Sequence, residues 1–225
     1  MVGISSIGDT TVVTNKWMLG TRNSFFIGIA ATLLATSLGT VAALGLSRPH
    51  MPFKGTLMAI LISPMIVPLI ITSAGMFFFY SKIGLTHTYL GLILAHTALG
   101  TPFVVITVTA TLTGFDTNLI RASQSLGADT MRTFFKVIMP LILPGVISGG
   151  LFAFITSFDE VVVVMFIGSV EQITIPKQMW AGLRQETSPV ILCMATCLVA
   201  LSIGLLTTVE MLRRRSERLR GIKQR

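Results

Sequence analysis

Charged residues are scarce in this chain: they make up 12% of its 225 residues, whereas 52% are hydrophobic. The mean hydropathy is +0.81, far above that of a water-soluble domain, which needs polar residues to cover its surface. This scarcity excludes a soluble globular protein and indicates an integral membrane protein. The formal net charge of +8 does not indicate nucleic-acid binding, because the basic residues lie between apolar runs and in the C-terminal tail.

Motifs for catalysis and nucleotide binding are also missing. No G-x-x-x-x-G-K-[ST] sequence is present, so we expect no ATP site in this chain. The three histidines are scattered and form no H-E-x-x-H zinc motif. Both cysteines, Cys193 and Cys197, lie inside an apolar run, where they are expected to pack as small hydrophobic residues. We therefore expect no enzyme activity, no metal site and no cofactor in this chain.

Long apolar runs are abundant, and five of them can cross a bilayer, because a span needs about 20 apolar residues. They cover residues 24–46, 56–80, 89–112, 141–167 and 190–212. The first run follows a polar segment without a basic n-region or a convincing cleavage site, so it is predicted to be an anchor and not a removable signal peptide. The predicted fold is all-α, a polytopic transmembrane bundle over residues 24–212.

The distribution of the 17 Lys and Arg residues predicts the orientation of the bundle, because short cytoplasmic loops carry the positive excess. Most of these residues fall on one side of the predicted spans, and a basic cluster closes the chain. The tail, residues 213–225, is thus predicted to be cytoplasmic and residues 1–23 to be extracytoplasmic. The tail is also expected to bind anionic membrane lipid.

Rows of small residues mark the first and fourth runs. Small residues at every fourth position let helix backbones approach closely in a bilayer. The pattern does not distinguish packing inside one subunit from packing between subunits. The rows are Ala31, Ala35, Gly39 and Ala43, the adjacent Gly28, Thr32, Thr36 and Thr40, and Gly145 with Gly149.

Two prolines, Pro64 and Pro68, interrupt the second run. Each lacks a backbone N–H group, so this run is predicted to be kinked or locally unwound. A bilayer tolerates such a break only beside other protein or a water-filled cavity. The prolines therefore point to a solute pathway.

Two acidic residues, Asp159 and Glu160, follow Ser157 inside the fourth run. Ionisable groups within a membrane are costly and usually functional, so these three residues are predicted to line a pathway for a cationic solute. Neighbouring helical residues diverge by about 100°, so one carboxylate is expected to make more of the contact. The alternative is that the helix ends near Phe158 and both carboxylates lie at the outer interface. His96, alone in the third run, is predicted to be a hydrogen-bonded core residue.

The loop 113–140, between the third and fourth runs, is predicted to form two helices around a glycine. Asp116 and Asp129 are suitable N-cap residues, and Gly127 can adopt the left-handed conformation that ends the first helix. This helix-Gly-helix elbow carries too many apolar residues for a solvated linker. Part of it must dock on the membrane face or on a soluble partner.

The elbow resembles the EAA loop of ABC importer permeases, whose pattern is Glu-Ala-Ala, three residues, Gly, nine residues and Ile-x-Leu-Pro. The spacing matches, although Arg121 replaces the Glu, Ser123 the second Ala, Val137 the Ile and Met139 the Leu. The resemblance implies a coupling helix that enters a groove of a cytoplasmic ATPase subunit. It assigns this role to Arg121, Ala122, Ser123, Leu126, Gly127, Ala128 and Pro140.

The resemblance extends over residues 23–212 and is most specific at Ser157, Asp159 and Glu160 with the β-branched run that follows. This stretch is similar to permeases of the spermidine/putrescine subgroup, although subgroups for opines, ferric iron or thiamine share much of the framework. The similarity implies the type I importer fold and a bacterial inner membrane. Family members usually have six spans, and the first of them has no counterpart here; either the true start lies upstream or the protein works without that helix.

The resemblance also implies partners: ABC ATPase subunits, a second permease subunit that is identical or homologous, and an extracytoplasmic solute-binding protein. The outer loop 169–189 would contact that binding protein, or would be an ordinary solvated loop. An autonomous secondary transporter is the alternative function. It would need coupling-ion residues or inverted repeats, and the sequence has no convincing internal repeat.

Overall fold

The computed structural model describes residues 6–48, 50–114, 116, 118–185 and 189–219, and these residues form helices joined by short connections. The predicted all-α fold is confirmed. In chain order the elements are α1 (Ser6–Leu46), α2 (Lys54–Ile66), α3 (Leu69–Ile83), α4 (Tyr89–Thr113), α5 (Asn118–Ser125), α6 (Thr130–Thr133), a π-helical turn (Phe134–Ile138), α7 (Met139–Phe158), α8 (Val162–Ile167), α9 (Ile175–Gln185) and α10 (Pro189–Leu219).

Three segments in the described part are long and apolar enough to cross a membrane: Lys16–Leu46, Tyr89–Thr113 and Thr130–Phe158. The third segment joins α6, the π-helical turn and α7 without interruption. The bent pair α2 and α3 adds a fourth if it counts as one broken span. The fifth predicted span stays a prediction, because the apolar stretch in α10, Ile191–Gly204, is shorter than a span.

The core of the bundle is the packing of α1, α4 and α7, and small residues make it possible. Ala31, Ala35, Gly39 and Ala43 are all buried. A methyl group on Gly39 would lie 2.6 Å from Cβ of Val104 in α4. The first row therefore packs inside this subunit, against α4.

The second row of α1 and the glycines of α7 complete this core. A methyl group on Gly28 would lie 3.2 Å from the Phe154 ring of α7, and one on Gly150 would lie 2.9 Å from the Thr36 hydroxyl of α1. A methyl group on Gly149 would lie 2.7 Å from Cα of Val104. Both rows thus serve packing within one chain.

The second predicted run is broken, as its two prolines indicate. Helices α2 and α3 meet at an angle of 103°. Val67 still donates its N–H to the carbonyl of Ser63, but it is extended, which is the usual conformation before a proline. Pro68 has no N–H with which to continue α2. The run 56–80 is therefore not one straight span.

The fourth predicted run, 141–167, is wrong as a single helix. It begins earlier, at Thr130, and ends at Phe158, as the alternative interpretation had it. The hydrogen bond from the N–H of Asp159 to the carbonyl of Ile155 closes the last turn of α7. The apolar residues after it form the separate short helix α8. The first run also differs, because α1 begins well before residue 24.

Candidate solute pathway and coupling elbow

A cavity of about 380 Å³ lies where the break between α2 and α3 faces α4 and the end of α7. Residues 64–69 form one wall, Leu99 and Phe103 of α4 form another, and Thr156 and Glu160 form a third. Thr156 and Glu160 carry the polar side chains of this otherwise apolar lining. The proline break and one of the two acidic residues therefore meet at the same cavity.

The two neighbouring carboxylates lie in different surroundings. Glu160 is only 7% exposed, and its Oε1 accepts a hydrogen bond from the N–H of Val163 at 3.0 Å. A carboxylate in this position stabilises the start of α8, because the first N–H groups of a helix have no partner within it. Asp159 is exposed and caps the end of α7 instead. Glu160 is thus the acidic residue at the cavity wall.

Ser157 faces the interior of the bundle and not the cavity. Its Oγ lies 2.7 Å from Nδ1 of His96 in α4, and both residues are buried. This agrees with the prediction of a hydrogen-bonded core histidine. Nε2 of His96 has no hydrogen-bond partner among the described residues. The pair ties the end of α7 to α4, two residues before Asp159.

The other end of α8 is held by Lys177 of α9, which the sequence placed only in an outer loop. Its Nζ donates to the carbonyl oxygens of Val164, Gly168 and Ser169 at 3.2, 3.3 and 3.2 Å. Burial of the ammonium group lowers the pKa of Lys177. Three acceptors compensate for that burial, so the side chain is fixed against the C-terminal end of α8.

The loop before α9 is fastened to the bundle by side chains of α1. Nδ2 of Asn23 donates to the carbonyls of Glu171 and Ile173 at 2.8 and 2.9 Å, and Oγ of Ser24 accepts from the N–H of Ile175 at 2.9 Å. Tyr89 of α4 donates its hydroxyl to Oδ1 of Asn23. The described first half of loop 169–189 is therefore held in place rather than loosely solvated.

The predicted elbow is present, with its glycine in the left-handed conformation. Gly127 has φ of +80°, and the N–H of Ala128 donates to the carbonyl of Ser123 at 3.1 Å. Oδ1 of Asp129 accepts from the N–H of Arg132 at 2.8 Å, which starts α6. The hydroxyls of Ser123 and Thr133 lie 2.7 Å apart and join the two arms.

The elbow lies at one end of the bundle, and its exposed surface is partly apolar. Leu126 is 87% exposed, and Arg121, Ala122 and Pro140 are also exposed. The second arm is not confined to the loop 113–140, as predicted, but continues through the π-helical turn into α7. Pro140 has no N–H to donate to the preceding turn, and the π-helical turn directly before it is where the continuous helix departs from α-helical geometry.

Comparison with known proteins connects these features to a family. The sequence model of the family described as "Binding-protein-dependent transport system inner membrane component" matches residues 35–218. The spermidine/putrescine transport system permease protein PotC of Haemophilus influenzae is 29% identical over 194 residues, which cover 86% of this chain and 76% of that protein. The putrescine transport system permease protein PotI of Escherichia coli is 28% identical over 213 residues, covering 89% and 75%.

Solved structures share the fold at lower sequence identity. A chain from an amino acid ABC transporter superposes with a TM-score of 0.67 at 15% identity and covers 95% of this chain and 100% of its own. A chain from the inward-facing MetNI methionine ABC transporter gives a TM-score of 0.64 at 18% identity, with coverage of 94% and 98%. The helical arrangement described above is therefore that of ABC transporter chains.

Proposed function

Since this chain belongs to the family of binding-protein-dependent transport system inner membrane components, we propose that it is the transmembrane subunit of an ATP-driven importer for polyamines such as spermidine or putrescine. The observation that carries the choice of solute is the buried carboxylate of Glu160 at the wall of a cavity that a broken span opens. A carboxylate in apolar surroundings favours a cation over a neutral or anionic solute. The names of the relatives support the same solute class.

The solute passes beside the break between α2 and α3. Irregular backbone at membrane depth is tolerated where it lines a cavity, and residues 64–69 do so here. Thr156 adds a hydroxyl next to Glu160 for an ammonium group. Beside the cavity, α2 and α3 expose Ile66, Ile70 and other large apolar side chains. A second permease subunit, homologous or identical, covers that face and completes the pathway.

ATP hydrolysis acts on the chain through the elbow. The exposed Leu126, with Arg121 and Ala122 beside it, enters a groove of a cytoplasmic ATPase subunit. The second arm is continuous with the span Thr130–Phe158, so a push on the elbow moves that helix as one body. Its far end lies next to Glu160. Alternating access to the cavity follows from this connection.

The orientation follows from the basic residues, with the C-terminal tail in the cytoplasm of a bacterium and the loop before α9 outside the inner membrane. A solute-binding protein delivers the polyamine at that loop. Anionic lipid holds the tail, and nucleic acid has no part in the function. The chain itself binds no cofactor, and its partners hydrolyse the ATP.

The test begins with purification of the detergent-extracted protein from its native membrane and identification of co-purifying chains by mass spectrometry. We expect ABC ATPase subunits and a second permease. The assembly is then placed in liposomes with its binding protein, and ATP-dependent uptake of labelled spermidine and putrescine is measured. Absence of polyamine uptake, with ATP-dependent uptake of labelled thiamine, an opine or ferric iron instead, would replace the proposed solute. A chain that purifies alone and transports without ATP would contradict the importer function.

A further inference from the structure

The short helix α8 is held at its two ends by side chains of opposite charge. The carboxylate of Glu160 accepts the N–H of Val163 at the first end, and the ammonium of Lys177 donates to three carbonyls at the second. These signs complement the helix dipole, which is positive at the N-terminus and negative at the C-terminus. One charged residue lines the cavity, and the other belongs to the outer segment α9.

Between those ends α8 is an apolar block that is fully packed on one side. Val163, Val164 and Ile167 have no exposed surface and belong to a core cluster with Leu92 of α4. The carbonyl of Ile167 also accepts the N–H of His87 at 2.8 Å. Packed cores shift as units rather than deform continuously. A displacement at the Lys177 end is therefore carried to the Glu160 end.

The segment that carries Lys177 starts at the outer loop. The N–H of Ile175, the first residue of α9, is bonded to Ser24 of α1, and Lys177 follows two residues later. The three acceptors of Lys177 come from α8 and from the residues just after it, so the ammonium group joins two segments that are separate in the chain. A partner that displaces α9 would break these hydrogen bonds.

We propose that Lys177 is a positioning residue for Glu160: through α8 it keeps the carboxylate at the cavity wall and links that carboxylate to the outer loop. The link to transport rests on the proposed function, in which the binding protein docks at the outer loop. Docking there would loosen α8 and change the grip of Glu160 on the solute cation. Lys177 itself does not touch the solute.

A labelling experiment tests the positional claim without any solute. In the assembled complex, Cys193 and Cys197 are replaced by alanine, and Val161→Cys, directly before α8 and next to the intact Glu160, reports the exposure of this end of α8 to a cationic methanethiosulfonate reagent. We expect Lys177→Met to change the labelling rate by about fivefold or more, a typical coupling between linked residues. Lys177→Arg keeps a cation against the carbonyls and should restore the original rate. Lys82→Met removes an exposed lysine from the last turn of α3 and should leave the rate unchanged.

A double-mutant cycle on uptake then shows whether Lys177 acts through Glu160. Lys177→Met should raise KM about fivefold in the natural chain and less than about twofold when Glu160→Gln is already present. An unchanged labelling rate, or an equal rise of KM in both backgrounds, would overturn the proposal. Failure of the natural complex to import polyamines would contradict the proposed function instead, and the labelling rates would still decide the role of Lys177.

Discussion

The bundle has a closed side and an open side, although both are built from apolar helices. On the closed side, α4 packs against α1 and α7 and buries twelve of its 25 residues. On the open side, α2 has no buried residue, and the neighbouring α3 buries only Ser73 and Tyr80. Apolar composition therefore places a helix in the membrane but does not say what covers it.

Side-chain size accounts for the difference. Where α4 meets α1 and α7, glycines let the backbones approach, as at Gly39 and Gly149. On α2 and α3 the glycines Gly55 and Gly75 face open space, and large side chains project outward. The cavity with Glu160 lies at the seam between the two sides. A pathway at that seam can change shape while the closed side stays packed.

The largest expected effect comes from filling a gap on the closed side. Gly149→Ala places a methyl group 2.7 Å from Cα of Val104, so we expect a loss of about 1–3 kcal/mol in stability through overpacking. Gly75→Ala on the open side meets no atom within 4 Å and should be neutral or slightly stabilising. Thermal unfolding of the two purified variants in the same detergent checks this. Equal melting temperatures would remove the distinction between the sides.

The elbow gives the next largest effect, on coupling rather than on stability. Gly127→Val forces a β-branched side chain into φ of +80°, at a cost of about 1–2 kcal/mol. We expect it to lower the ATP hydrolysis stimulated by binding protein and solute about tenfold, with membrane insertion intact. Gly114→Val, at φ of −90° in the same loop and with open space around it, should keep most of the stimulation. Undiminished stimulation in Gly127→Val would argue against a coupling role.

A smaller effect is expected from the hydrogen bond that fixes the end of α7. Ser157→Ala leaves Nδ1 of the buried His96 without its partner at 2.7 Å, which should cost about 1–2 kcal/mol. Ser37→Ala removes only a bond to the same helix from an exposed hydroxyl and should change stability by less than about 0.5 kcal/mol. Denaturation curves of both variants distinguish these outcomes. If the two serines prove equivalent, the His96 pair does not stabilise the bundle.

Local patterns in the sequence were enough to predict the helical class, the proline break, the small-residue packing and the elbow. Each depends on spacing within about one turn or loop, such as Gly127 between Asp116 and Asp129. The end of the fourth run was not predictable in the same way. The four valines that follow Glu160 continue the apolar pattern, and only the cap on Val163 and the packing of α8 show where the helix stops.

Contacts between distant parts of the chain account for the rest. In the sequence, Lys177 is indistinguishable from an ordinary loop lysine. Only the folded structure shows that it contacts the carbonyls of Val164, Gly168 and Ser169. Thr156 was overlooked because Ser157 beside it carries the same hydroxyl, yet it is Thr156 that lines the cavity. Asn23 and Tyr89 fasten a loop about 150 and 80 positions further along the chain. No pattern within one segment identifies such pairs.

The most direct test of the account is the dependence of polyamine uptake on the charge at the seam. In the reconstituted complex, Glu160→Gln should raise KM for spermidine about tenfold, since a hydrogen bond to a charged group contributes about 1.5–3 kcal/mol. Asp159→Asn removes the exposed neighbouring carboxylate, which does not line the cavity, and should leave KM within about twofold of the natural value. A larger effect of Asp159→Asn than of Glu160→Gln, or normal uptake in Glu160→Gln, would contradict the pathway described here.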